Sequence, residues 1–103
     1  MITLEQAKQI ALEQIKPRQE SWRKEIPGDD FVLDSVFEFN QGWLFYFTSE
    51  KCLQTKDLQY RPIGGGPVIV GKGNGDFLLT GSGWTQEEYL KMFKEHLQKK
   101  SKL

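Results

Sequence analysis

The pattern of the chain predicts an α+β fold: a four-stranded antiparallel sheet of two hairpins, flanked by N- and C-terminal helices packed on one face. Three observations predict it. Apolar residues recur at helical spacing near both ends, each run opened by a capping pair. Between them lie four runs rich in β-branched and aromatic residues. Those runs pair off across two turns that contain glycine.

The first helix opens at Thr3, whose hydroxyl and the Gln6 side chain can each satisfy an orphan N–H of the first turn. Leu4, Ala7, Ile10, Ala11, Gln14 and Ile15 follow at helical spacing. Pro17 lacks an N–H and is expected to end the helix near Lys16. From Arg18 to Asp30 the chain is polar, anchored by Trp22 and Ile26, and Pro27-Gly28-Asp29-Asp30 is a turn.

Phe31 to Phe39 reads as a strand, with Phe37 and Phe39 on one face. Asn40-Gln41-Gly42 turns it back into Trp43 to Thr48. In that second strand Trp43, Phe45 and Phe47 share one face, Leu44 and Tyr46 the other. Ser49 to Gly66 is irregular, with one helical turn around Lys51 to Leu53. Pro67 to Val70 and Asp76 to Thr80 form the second hairpin across Gly71-Lys72-Gly73-Asn74-Gly75. The last helix starts from a Thr85–Glu88 capping pair and carries Tyr89, Leu90, Phe93, His96 and Leu97 on one face.

Two helices on one face leave the other bare. Leu44 and Tyr46, with Val36, would then form an exposed apolar patch, unless the long loop folds over it.

The 103 residues make one domain, with neither an internal repeat nor a linker. Fourteen basic residues balance fourteen acidic ones. That balance argues against nucleic acid as the partner, because phosphate contacts need cations in excess. The single cysteine, Cys52, cannot form an intrachain disulfide and suits a reducing compartment. The N-terminus has no apolar run of the secretory kind, and no stretch is long enough to span a membrane, so a cytoplasmic location is expected.

The motifs argue against catalysis. Gly66 to Lys72 has the spacing of a phosphate-binding loop, but Gly73 stands where Ser or Thr is needed and the middle is a strand. Cys52 and His96 are the only residues of their kinds. A thiol nucleophile needs a base within reach, and the two cannot close a zinc site by themselves. Cys52 reads as a small apolar residue under a loop, and His96 as a satisfied core or boundary histidine. Asp29-Asp30 lies in a turn and Glu87-Glu88 in a first helical turn, where structural roles explain both. No catalytic, cofactor-binding or metal-binding residue is assigned.

What remains is binding. Tyr46, Tyr60, Arg61 and Trp84 are the candidate anchors for a protein partner, because aromatic residues and Arg dominate interface hot spots. Trp84, after Gly81-Ser82-Gly83, reads first as a staple fastening the last helix to the core, and as an anchor if it stands exposed.

From residue 42 onward the order of motifs is specific. Gly42-Trp43-Leu44-Phe45-Tyr46-Phe47-Thr48-Ser49 is followed by Leu53-Gln54-Thr55-Lys56-Asp57, then by Gly64-Gly65-Gly66-Pro67-Val68-Ile69-Val70. Gly75, Leu79-Thr80-Gly81-Ser82 and Glu87-Glu88-Tyr89-Leu90 complete the series. It resembles the immunity protein 35 family, which takes in the YrhB-like proteins of bacteria. The resemblance covers roughly the C-terminal half, and the first helix agrees in kind. Gly65 stands where the family has Asn, Gly71 where it has Asp, and a helix-opening Pro is replaced near Thr85.

The resemblance implies an immunity protein that binds and neutralises a cognate toxin of a bacterial polymorphic toxin system by occluding its active site. It implies a cytoplasmic protein, monomer or homodimer, that is no enzyme. The alternative is a small chaperone that holds partly unfolded clients on an open sheet face.

Overall fold

The computed structural model describes residues 1–56, 66–81 and 83–101. Along the chain run α1 (Leu4–Glu25), β1 (Phe31–Phe39), β2 (Gly42–Ser49), α2 (Glu50–Thr55), β3 (Val68–Gly71), β4 (Phe77–Leu79) and α3 (Gln86–Ser101). The strands form one antiparallel sheet in the order β1-β2-β3-β4. The α+β class and the two hairpins agree with the sequence.

The placement of the helices does not. They lie on opposite faces, where the sequence was expected to put both on one. Ala7, Ala11 and Ile15 of α1 pack on Trp43, Phe45, Val68 and Val70. Tyr89 and Phe93 of α3 pack on Leu44 and Ile69 from the other side. The reason lies in β2 and β3. Alternation sends their apolar residues both ways, and the register aligns them into rows. Val36, Phe45, Val68 and Leu79 cross the sheet as one row, and Phe37, Leu44, Ile69 and Leu78 as the next. Both rows are fully buried at their centres, and one helix per face covers those two central strands.

The bare patch expected under Leu44 and Tyr46 is therefore occupied by α3. Nor does Val36 share their face. Gly42 already pairs with Phe39, so the connection is the two residues Asn40-Gln41 and Val36 falls opposite Phe45 on the α1 side; a bulge between Leu33 and Ser35 shifts only the residues before it. With one helix on each face, the outer half of β1 stays open. Residues 34–38 are all exposed.

Helix α1 also runs on past its expected end. The Thr3–Gln6 capping box forms as expected, but the helix continues through Pro17 to Glu25. Pro17 costs one backbone bond. Tertiary contacts beyond it offset that loss: Arg18 reaches the sheet, and Trp22 is buried against Phe31. Among the described residues, no helix is long and apolar enough to cross a membrane.

Candidate functional site

The antiparallel order gives the sheet two unlike ends. At one lie the tight turns after β1 and β3, where Ile2 N–H donates to the Lys72 carbonyl. At the other lie the entry to β1, the end of β2 with α2, the entry to β3 and the exit of β4 toward α3. This second end, the loop end, gathers most of the long-range polar bonds among the described residues.

Asp29 is the first of its hubs. Its side chain is buried. Oδ2 accepts from Trp22 Nε1 at 2.8 Å and from the Ser49 hydroxyl. Oδ1 accepts from the backbone N–H groups of Asp30 and Lys51, both at 3.0 Å. Burial pushes the carboxyl pKa up, but the Ser49 and Trp22 bonds and the two backbone bonds outweigh it, so the net shift is downward. With its acceptor sites filled, Asp29 is a structural anion and no free base. Ser49 also accepts the Cys52 N–H at 3.1 Å, capping α2, and Lys56 ends that helix in the left-handed region.

Arg18 is the second hub. Its guanidinium forks between two carbonyls, Nη1 donating to Gly66 at 3.0 Å and Nη2 to Thr80 at 2.9 Å. Gly66 N–H donates to the same Thr80 carbonyl, and the Thr80 hydroxyl donates to the Pro67 carbonyl at 2.6 Å. One residue later, Tyr89 of α3 donates its hydroxyl to the Gly81 carbonyl at 2.8 Å. Consecutive carbonyls at the exit of β4 are thus held by helices on opposite faces.

Trp84 follows that exit and stands 52% exposed, so it is not a staple. Its partner in a staple would be Tyr89, four residues into the helix. Tyr89 is instead buried against Leu44 and Ile69, with its hydroxyl on Gly81. The Thr85 cap forms in part. Thr85 Oγ1 accepts the Glu88 N–H at 3.2 Å, but the Glu88 carboxylate accepts from the Thr85 hydroxyl and not from its backbone.

The other candidate anchors separate. Tyr46 is half-buried under α3, where burial, and then Tyr89 beside it, push its phenol pKa up. Tyr60 and Arg61 lie outside the described residues. The flanks of their segment, Lys56 and Gly66, both belong to the loop end. Leu53 of α2 is exposed there as well. Sequence reasoning missed Arg18 and Asp29, because their partners are up to 62 residues away.

The remaining motifs are also placed. The stretch resembling a phosphate-binding loop is strand β3, and Lys72 donates to Glu38 Oε2 at 2.6 Å while lying over the Trp43 ring. Cys52 sits in α2 at the loop end. His96 stacks on Phe93, whose ring lies against Gly71 near the opposite end. Its Nε2 is buried and, among the described residues, without the partner that a satisfied histidine would have. No group of three or more potential metal ligands occurs among the described residues.

The model of the family described as Immunity protein 35 matches residues 5–92, which extends the likeness from the C-terminal half to most of the chain. The protein of Escherichia coli (strain K12) described as "Uncharacterized protein YrhB" is 38% identical over 52 residues. That alignment covers 50% of this chain and 55% of the relative, so the chain spans about half the length of the curated protein it matches. No solved structure matches.

Proposed function

The chain belongs to the immunity protein 35 family, and from that premise we propose that it binds the cognate toxin of a bacterial polymorphic toxin system and neutralises it. It acts in the cytoplasm, as a monomer or homodimer, by covering the toxin's active site and not by catalysis. The match over residues 5–92 carries this reading.

The proposed contact surface is the loop end, centred on Trp84. A half-exposed Trp held beside well-anchored backbone suits a hot spot, because it offers large area at little entropic cost. Tyr46, Tyr60 and Arg61 are the further candidates. The balanced charge of the chain favours steric fit over simple charge blocking. The chaperone alternative is the weaker reading, since α3 covers the Leu44 and Tyr46 face it would use and only the outer half of β1 stays open.

The test is capture and rescue. The tagged chain, expressed in its source cell, should retain one stoichiometric protein with a toxin-like domain. Co-expression should then restore growth to cells producing that domain. A broad spread of clients that grows with heat, and no rescue, would replace the immunity reading.

A further inference from the structure

We infer that Arg18 and Tyr89 are positioning residues that fix how Trp84 is presented to a partner, a role that rests on the reading of Trp84 as the anchor. Between β4 and α3 lie two glycines among the described residues. Gly81 and Gly83 lack side chains, and Gly83 takes φ +93°, a conformation glycine adopts without strain. The carbonyls of Thr80 and Gly81 are held by side chains from outside the connection. Arg18, reaching from α1 on one face, takes the Thr80 carbonyl. Tyr89, reaching from α3 on the other, takes the Gly81 carbonyl. Downstream, Thr85 is fixed as the cap of α3 through Glu88. Trp84 lies between these fixed points, and its side chain is half in solvent.

Two features separate this arrangement from simple packing. Arg18 spends both arms of its fork on carbonyls at the entry of β3 and the exit of β4, and among the described residues it has no acidic partner. Tyr89 already fills its core site with its ring, next to Leu44 and Ile69. Among the described residues, its hydroxyl adds only the bond to Gly81. Removing that one oxygen therefore tests presentation with the core left in place. An exposed aromatic held in one pose binds more tightly than a free one, because the ordering cost has been met before association.

The experiment uses 5-fluorotryptophan, since the chain has only three tryptophans and Trp84 can be assigned with W84F. Tyr89→Phe and Arg18→Lys should each shift or broaden the Trp84 fluorine resonance while that of Trp43, in the core, stays in place. An unmoved Trp84 resonance in both variants overturns the inference, and so does movement of all three resonances together.

A second readout is affinity for the captured toxin domain. Each variant should weaken binding about tenfold when Trp84 is present, and should add nothing in a W84A background. Losses that simply add would overturn the positioning role. If the wild-type chain binds no toxin, the immunity reading fails, and the fluorine spectra still decide whether Arg18 and Tyr89 hold Trp84.

Discussion

Trp22 and Asp29 meet through a 2.8 Å bond from the indole Nε1 to a buried carboxylate oxygen, across the turn that leads from α1 into β1. The bond joins the part of α1 beyond Pro17 to the start of the sheet. Around the same carboxylate Ser49 and Lys51 fix the passage from β2 to α2.

Asp29→Ala should therefore cost about 3 kcal/mol or more, because it leaves several buried donors unpaired. The charge adds a pH dependence. The folded carboxyl titrates below its ordinary value of 3.8, so the folded state holds fewer protons than the unfolded chain. Its contribution is complete above the unfolded value and drains away as pH falls through the folded one. Urea unfolding of wild type and Asp29→Asn between acid and neutral pH should show a stability gap that narrows on the acid side. A constant gap would mean that the charge adds nothing beyond hydrogen bonding.

Pro17 stands inside a helix that continues past it. Pro17→Ala should stabilise the protein by about 1–2 kcal/mol. The regained bond and the relieved clash exceed the unfolded-state entropy that proline withholds. A rise in the thermal midpoint checks this. A fall would show that the packing of Trp22 depends on the local geometry that Pro17 imposes.

Lys72 bridges the exposed Glu38 and the buried Trp43 ring, with the ammonium 2.6 Å from the carboxylate and 5.4 Å from the ring centroid. Since Glu38 is largely exposed, Glu38→Gln should cost about 0.5 kcal/mol or less, and less still at high salt. Lys72→Ala should cost about 1 kcal/mol, because it also uncovers the Trp43 ring. Unfolding at low and high ionic strength separates the two contributions.

Trp84→Ala should change stability by no more than about 0.5 kcal/mol, as expected of an exposed side chain. If the Trp anchors a partner, the same change should weaken the complex by about 2 kcal/mol or more. Calorimetry with the captured toxin, alongside a melting curve, reads both numbers. Full affinity in W84A would move the contact surface elsewhere.

Much of the architecture was legible because it is written in local pattern. Thr3 and Gln6 announce the start of α1, and β1 begins and ends at Phe31 and Phe39 as its aromatic run does. The expected helical turn at Lys51 to Leu53 is the centre of α2. What escaped was non-local. Pro17 looks like a stop unless Arg18 and Trp22 are known to have partners across the fold. Leu44 and Tyr46 point away from Trp43 and Phe45, as alternation requires, but alternation does not say that α3 comes round to cover them. Asn40-Gln41-Gly42 reads as a three-residue connection, but Gly42 already pairs with Phe39, and that one-residue difference moves Val36 to the other face. At the candidate site, Trp84 could be singled out by type but its exposure could not, because Tyr89, the residue it would staple to, packs on Leu44 and Ile69 across the fold.

The division of the helices between two faces also orders events during synthesis. Helix α1 is made before the strands it covers and can meet them as they emerge. Helix α3 is the last of the described elements to leave the ribosome. Until it arrives, the nascent sheet carries Leu44 and Ile69 on an unprotected side, beside the exposed residues 34–38 of β1. That interval is when the chain is most open to association with its neighbours. A message cut short before residue 86 would make the exposure permanent, so what accumulates should be aggregate and not a smaller working domain.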